Sequence, residues 1–258
     1  MNRFNRSLII IVCFLVYRYS KYLYAYVIFG HESWNNLSRL YASGIMLITG
    51  IVMAFVAGYA INKRVSLNDF GIGPKGFIKG LIWATLFCVP MFLGLGFISQ
   101  FNFQPTLDLA VKGIVLAGFG EEFIFRAFLF GLLFFYAGWG FLSAGILTGL
   151  FFGAGHLYQA DSFGSALAIF LFTTGASIGF AWFYLAWKSL WMVVFLHGFM
   201  DFIWDGYQID TDVTGGLWVN VARFSTLIFA IVWSIRVAKE NNIHNLKTNL
   251  WINTTAFA

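Results

Sequence analysis

Charge is scarce in this sequence. Only 10% of the 258 residues are charged, whereas 60% are hydrophobic and 32 are phenylalanine. An ordinary soluble domain has roughly a quarter charged residues, and a chain of this size cannot bury so much apolar surface in one aqueous core. The composition therefore excludes a soluble globular enzyme and a disordered chain, and it predicts an integral membrane protein with the lipid bilayer as its partner.

Cysteine and proline are scarce as well, with two and three copies. Cys13 and Cys88 both lie inside apolar runs, which excludes a disulfide scaffold and a cysteine cluster for zinc. The few prolines favour continuous helices, and the 27 glycines favour close contact between them. The predicted fold class is an all-α, polytopic membrane helical bundle that forms a single domain over residues 1–258.

Hydropathy predicts about eight transmembrane helices, each near the length that crosses a bilayer. Arg18 and Lys21 interrupt the first, which therefore either crosses or lies partly in the interface. Glycines in the fifth and sixth predict close packing, at Gly145, Gly149, Gly153, Gly175 and Gly179. The predicted spans are 8–29, 40–61, 76–99, 114–135, 140–158, 163–187, 189–204 and 217–235.

The net charge of +5 is distributed unevenly between the predicted loops. With an inner N-terminus and eight spans, the outer parts contain only Arg39 and Lys112, with Arg223 near a helix end. This asymmetry predicts a multi-pass protein with both termini in the cytoplasm. The expected location is a bacterial inner membrane, and no nucleic-acid partner is expected. The inner parts contain Arg3, Arg6, Lys63, Arg64, Lys75, Lys79, Lys188, Arg236, Lys239 and Lys247.

Three of the apolar segments contain charged or titratable side chains at bilayer depth, where each charge costs about 2.5–3.5 kcal/mol. Residues four apart share a helix face, so Glu122 can pair with Arg126, and Asp201 can orient His197. Glu121 points away from Glu122, so the two acids have different tasks: one is held ionised by Arg126 and the other faces a cavity as a base. The third segment contributes His156. The other histidines, His31 and His244, fall in a predicted loop and in the tail.

This set of residues supports hydrolysis of an amide bond in two ways. In the first, a Glu and a His polarise a water molecule that attacks the carbonyl, and the other His with Asp201 stabilises the oxyanion or protonates the leaving amine. In the second, His156, His197 and Glu121 bind a divalent metal such as zinc, with the remaining Glu as base. The residue types leave both open.

Three spaced motifs resemble those of the CPBP family, the group of CAAX proteases and bacteriocin-processing proteins also called Abi. They are Glu121-Glu122-x-x-x-Arg126, Phe152-x-x-x-His156 and His197-x-x-x-Asp201. The resemblance covers about residues 66–205 and implies an eight-helix endopeptidase with its site inside the bilayer and a membrane-associated peptide or protein substrate. It implies that Glu121 and His156 activate water and that His197 and Asp201 form the oxyanion side. Glu122, Arg126 and Phe152 would support them.

Other functions fit parts of the pattern. Intramembrane Glu, His and Arg also build the proton relays of transporters, although no repeat of the kind common in transporters is visible here. A non-catalytic family member would act as a membrane immunity or scaffold protein. A haem-binding bundle would use His156 and His197 but would leave the two glutamates without a role.

Overall fold

The computed structural model describes residues 1–209, 213–243 and 249–254, so the predicted tail residues His244 and Lys247 lie outside the described part. Within it the chain is all-helical, which confirms the predicted fold class. His31, predicted in a loop, begins a short helix. The helices are α1 (Arg3–Leu23), α2 (His31–Asn36), α3 (Arg39–Asn62), α4 (Lys75–Ile98), α5 (107–136), α6 (Phe141–His156), α7 (Phe163–Trp187), α8 (Leu190–Gly206) and α9 (Leu217–Glu240).

Six helical segments of the described chain are long and apolar enough to cross a membrane. The sequence predicts about eight spans, and the two that do not qualify are α5 and α8. The first contains Glu121, Glu122 and Arg126 near its centre, and the second is only 17 residues long. The two helices that least resemble membrane spans are therefore two of the three that carry the motifs.

Helix α5 is mostly a π-helix and not the α-helix that the sequence analysis assumes. Two π-helical segments, Val111–Glu121 and Phe123–Gly131, meet at Glu122, and short α-helical segments precede and follow them. In a π-helix each backbone N–H bonds five residues back, which widens the turn and is frequent at functional sites. Glu122 and Arg126 are still on one face in this geometry, as the spacing of four predicts.

Local sequence explains where several helices begin. Ser38, Ser162 and Ser189 precede α3, α7 and α8, and each side-chain oxygen accepts a hydrogen bond from a backbone N–H in the first turn. Pro90 lies inside α4, and the N–H of Met91 next to it donates to Thr226 Oγ1 of α9 at 3.0 Å. This contact ties α4 to α9 at the proline.

The glycines of α6 pack as predicted, but those of α7 do not. A Cβ atom at Gly149 or Gly153 would meet atoms of Thr174 or Phe170 on α7. At Gly175 and Gly179 it would meet nothing within 4 Å, so the predicted close packing there is wrong. Both glycines lie on an exposed face, which spacing along the helix does not reveal.

The connecting segments gather at two opposite ends of the bundle. At the basic end, defined here as the start of α1 with residues 63–74, 137–140 and 249–254, Arg6 Nη1 donates to the carbonyl of Tyr136 at 2.8 Å. Tyr136 in turn donates to Asp69 Oδ1 at 2.5 Å. At the opposite end, defined as residues 99–106, 157–162, 207–209 and 213–216, the N–H of Gln104 donates to the carbonyl of Gly206 at 2.8 Å.

Candidate active site

The three motifs line one cavity of about 550 Å³ in the interior of the bundle. This volume lies within the usual range of small-ligand pockets. Five predicted site residues have atoms on its wall together with Phe152, whereas Glu122 lies behind the wall. The wall includes Glu121 and Arg126 from α5, His156 from α6, His197 and Asp201 from α8, Phe180 from α7 and Arg223 from α9.

Glycines bring α5 and α8 into backbone contact, which places the first motif beside the third. A Cβ atom on Gly118 would lie 2.6 Å from the carbonyl oxygen of Val194. A Cβ atom on Gly198 would lie 2.8 Å from the Cα of Ile114. Neither position has space for a side chain, so the approach of the two helices depends on glycine at both.

Glu122 is completely buried and lies between Arg126 and His197. Its Oε1 is 2.6 Å from His197 Nδ1, and its Oε2 is 3.0 Å from Arg126 Nε. Arg126 is 1% exposed, so both charges of that pair are inside the protein. The Arg126 contact is short but poorly aligned for a hydrogen bond, since neither atom has a hydrogen-bond partner among the described residues. Charge attraction therefore dominates this pair.

Glu121 has the opposite surroundings. Its side chain lies on the cavity wall, and its buried Oε2 has no hydrogen-bond partner in the described part of the chain. A buried carboxylate oxygen without a donor is costly, because most buried polar atoms in proteins are paired. The side chain as a whole lies on the cavity wall, where the carboxylate can accept a hydrogen bond from a water molecule or a substrate group.

The tautomer of His156 follows from one hydrogen bond. Its Nδ1 is 2.9 Å from the carbonyl oxygen of Phe152, one turn earlier in α6. A carbonyl only accepts, so Nδ1 carries a proton and donates it. In the neutral ring the lone pair is then on Nε2, which is the nitrogen that can act as a base.

His197 has a carboxylate at each ring nitrogen. Besides the Glu122 contact at Nδ1, its Nε2 lies 3.5 Å from Asp201 Oδ2, which confirms the predicted pairing of His197 with Asp201. An ionised carboxylate only accepts hydrogen bonds. Either the imidazole of His197 is therefore protonated at both nitrogens, or one of the two acids, Glu122 or Asp201, is protonated. In each case Glu122, His197 and Asp201 together hold a proton close to the cavity.

Aromatic rings surround the cationic part of the site. The guanidinium carbon of Arg126 is 4.6 Å from the ring centroid of Phe152 and 5.5 Å from that of Phe180. The Phe152 ring also packs against His156 with 4.5 Å between centroids. Phe152 therefore contacts Arg126 with its ring and fixes the tautomer of His156 with its carbonyl. These two contacts explain why the second motif pairs a phenylalanine with the histidine.

The residues do not form a metal site. Among the described residues, no three His, Cys, Asp or Glu side chains are grouped closely enough to hold a metal ion. Both nitrogens of His197 face carboxylates, and His156 Nδ1 is bound to a carbonyl. The predicted set of His156, His197 and Glu121 does not fit a divalent metal in this arrangement, and no step below uses one.

Sequence reasoning missed the part of the cavity wall that α9 supplies. Arg223 was predicted near a helix end, yet its side chain is buried on the cavity wall. Trp204 of α8 and Phe172 of α7 lie on the wall beside it. The sequence did indicate this position, because Arg223 lies within a predicted membrane span, where a charged side chain is costly and commonly functional.

Comparison with known proteins supplies an independent observation. Residues 102–203 match the model of a family described as type II CAAX prenyl endopeptidase Rce1-like. No curated protein and no solved structure matches the chain. The matched segment contains all three motifs, so it supports a CAAX-type intramembrane protease at the level of the family. The match supports the resemblance to the CPBP family: residues 102–203 are similar to the Rce1-like type II CAAX prenyl endopeptidases.

Proposed function

We propose that this protein is an endopeptidase that cleaves a membrane-associated peptide or protein inside the bilayer, by means of a water molecule activated by Glu121 and His156. The observation that carries the proposal is the cavity on which Glu121, His156, His197 and Asp201 all lie. Residues 66–205 form its catalytic core, and it is a working hydrolase, not a non-catalytic immunity or scaffold protein.

Glu121 and His156 supply the base. Glu121 has its carboxylate on the cavity wall, and His156 Nε2 is the ring nitrogen with the lone pair. A water molecule between them donates to both, and it transfers one proton to this pair as its oxygen attacks the carbonyl carbon of the substrate. The same proton then passes to the leaving amine as the C–N bond breaks.

His197 and Asp201 supply the donor for the oxyanion. His197 Nε2 is 3.5 Å from Asp201, beyond a good hydrogen-bond length, so in the protonated imidazole this nitrogen has an N–H to donate to the substrate oxygen, where negative charge develops during attack. Asp201 donates only when it is protonated, so the imidazole of His197 is the principal donor and Asp201 its orienting partner. Glu122 and Arg126 position His197 and do not contact the reacting atoms.

Two substitutions test the assignment of the base. Glu121→Gln and His156→Ala should each reduce cleavage by about 10²–10⁴-fold, the usual contribution of general acid–base catalysis. Substrates come from a comparison of protein termini in cells with and without the protein. The controls are Glu32→Gln and His31→Ala, which change the same residue types on the exposed helix α2. Full cleavage by either test variant would refute the assignment.

We further propose that the basic end faces the cytoplasm, with both termini there, in a bacterial inner membrane. The cavity wall includes Lys112, Gln159 and Val213, which lie in or next to the opposite end. The substrate would then enter from the non-cytoplasmic side. Single cysteines at Asn242 and Ser162, in a chain with Cys13 and Cys88 replaced, should react with an impermeant thiol reagent only at Ser162. Labelling of the cysteine at position 242 in intact cells would show that the protein has the opposite orientation.

A further inference from the structure

Three tryptophans from three helices pack together near the basic end. We call Trp83 of α4, Trp187 of α7 and Trp233 of α9 the tryptophan cluster. The rings of Trp83 and Trp233 stack with 4.2 Å between their centroids, and the Trp187 ring lies 6.3 Å from that of Trp83. Trp187 is buried, and its Nε1 donates to Ser234 Oγ of α9 at 2.8 Å. The cluster therefore joins α4, α7 and α9.

Two rings of the tryptophan cluster have a cation over them. Lys79 Nζ of α4 is 5.3 Å from the ring centroid of Trp187, and the guanidinium carbon of Arg236 of α9 is 5.3 Å from that of Trp233. Both cations are exposed, and among the described residues neither has a carboxylate within ion-pair distance. Contact with a ring face positions such a side chain and leaves N–H groups available to an anion.

Positive charge dominates around the tryptophan cluster. Glu240 ends α9 one turn after Arg236, and Asp69 of the basic end already accepts hydrogen bonds from Ser66 and Tyr136. The other acids of the described chain lie on α2, α5 or α8 or at the opposite end. Three more exposed lysines lie within four residues of Lys79, Trp187 or Arg236, namely Lys75, Lys188 and Lys239. Cations therefore outnumber acids here, and this surface attracts an anion.

The position of the tryptophan cluster along its helices matches the headgroup layer of a membrane. Trp187 ends one helix that is long and apolar enough to cross a membrane, and Arg236 lies one turn before the end of another. Tryptophan is enriched at the membrane–water interface, and basic groups between membrane helices bind anionic lipid headgroups. Toward the middle of α4 and α9, exposed apolar side chains provide a surface for acyl chains: Ile82, Leu86 and Val232. This apolar surface favours a lipid over a soluble anion.

We propose that Lys79 and Arg236 bind the phosphate of an anionic phospholipid whose acyl chains lie along α4 and α9. Arg236 can donate two parallel hydrogen bonds to the phosphate, whereas Lys79 acts as a point charge. The bound lipid holds α4, α7 and α9 together, and these helices also contribute Met91, Phe180 and Leu227 to the cavity wall. The proposal depends neither on the cleavage reaction nor on which side of the membrane the basic end faces.

Lipid binding is measured on the purified full-length protein in a neutral detergent. Phosphatidylglycerol, phosphatidylcholine with the same acyl chains, and glycerol phosphate are titrated; native mass spectrometry counts the bound molecules, and thermal unfolding is recorded in parallel. Phosphatidylglycerol should bind more tightly than phosphatidylcholine and should raise the unfolding temperature, because it binds the folded state. Lys79→Gln and Arg236→Gln should each weaken its binding about fivefold, and the double variant about 25-fold.

Two further variants keep the test decisive. Lys63→Gln is the matched control, because Lys63 is an exposed cation of the basic end whose Nζ lies 5.6 Å from the ring of Tyr59, which is not part of the tryptophan cluster. It should bind phosphatidylglycerol like the wild type. Lys79→Arg combined with Arg236→Lys keeps both charges and should retain most of the binding. If the double glutamine variant does not fold, the two single variants decide the outcome.

Four outcomes would overturn the proposal. The first is equal affinity of the wild-type protein for the two lipids, and the second is wild-type affinity for phosphatidylglycerol in the glutamine variants. The third is an equal loss of affinity in Lys63→Gln, which would mean that the lipid responds to diffuse surface charge and not to a site. The fourth is a rise in unfolding temperature with glycerol phosphate as large as that with phosphatidylglycerol, which would assign the two cations to a soluble phosphate.

Discussion

At the scale of single residues, two adjacent glutamates have contrasting surroundings. Glu122 is fully buried between Arg126 and His197, whereas Glu121 lies on the cavity wall, and one of its oxygens has no hydrogen-bond partner among the described residues. Removal of one partner of a buried ion pair leaves the other charge uncompensated, which is far more costly than the pair itself. We therefore expect stability to depend on Glu122 and, in the proposed mechanism, reactivity to depend on Glu121.

This contrast predicts opposite outcomes for the same substitution at neighbouring positions. Glu122→Gln should destabilise the protein by about 3–5 kcal/mol, because Arg126 remains buried without a counter-charge. Glu121→Gln should leave the temperature of thermal unfolding in detergent near that of the wild type, or raise it. Unfolding of the purified variants followed by tryptophan fluorescence measures both.

A double variant checks the reason for that loss. Because Glu122→Gln combined with Arg126→Met removes both charges of the pair, it should unfold at a higher temperature than Glu122→Gln alone. If the losses of stability from Glu122→Gln and from Arg126→Met simply add in the double variant, the uncompensated charge of Arg126 is not the cause of the first loss.

At the scale of helices, the site depends on how closely α5 approaches α8. Gly118 and Gly198 sit where the two backbones touch, and a methyl group there would collide with backbone atoms that cannot rotate away. Glycine in a helix normally weakens it by about 1 kcal/mol relative to alanine. These two positions reverse that preference, since alanine would separate the helices that carry Glu121 and His197.

Alanine substitutions on different helices should therefore have opposite effects. Gly198→Ala should lower both the unfolding temperature and the cleavage rate, whereas Gly179→Ala should preserve activity and raise stability slightly, since nothing lies within 4 Å of its added methyl group. Activity and thermal unfolding of the two variants are compared in the same detergent. Equal effects of the two would mean that the contact between α5 and α8 does not position the site.

At the scale of the whole molecule, residues 249–254 join the helices of the first and second motifs. Helix α6 begins after Gly140 without a side-chain cap. The N–H groups of Gly140, Phe141 and Leu142 donate instead to the carbonyls of Trp251, Asn249 and Leu250, at 2.7–3.0 Å. Asn253 Nδ2 donates to the carbonyl of Phe134, near the end of α5, at 2.8 Å. This segment therefore caps both helices at once.

Removal of that segment should weaken the site from a distance. A chain that ends at residue 248 should unfold at a lower temperature and cleave more slowly, because the first N–H groups of α6 lose their acceptors. Trp251→Ala is the control: the Trp251 side chain is mostly exposed, and its backbone carbonyl remains. A thermal melt of the shortened chain indistinguishable from that of wild type would show that water replaces these bonds without loss.

The features that sequence predicts here are local ones. A spacing of four residues was enough to predict the contacts of Glu122 with Arg126 and of His197 with Asp201, because both lie on single helices. The π-helical form of α5 was not predictable, since hydropathy looks the same whether the backbone bonds four or five residues back. The cap by residues 249–254 was missed because it consists of backbone hydrogen bonds between distant segments. The environment of Arg223 was missed because the fold, not its neighbours in sequence, brings Trp204 to it.

The cap on α6 also has a consequence for the order of events during synthesis. About 110 residues separate Gly140 from its acceptor at Trp251, so translation reaches the acceptor long after α6 has been made. Until residues 249–254 leave the ribosome, the start of α6 has no protein acceptor from this segment, and the end of α5 lacks Asn253. The nascent chain can insert its helices one after another, but the hydrogen bonds that cap the start of α6 and the end of α5 form only when this segment has been made. We therefore expect the two helices that carry the first and second motifs to gain these caps late in the synthesis of the described chain.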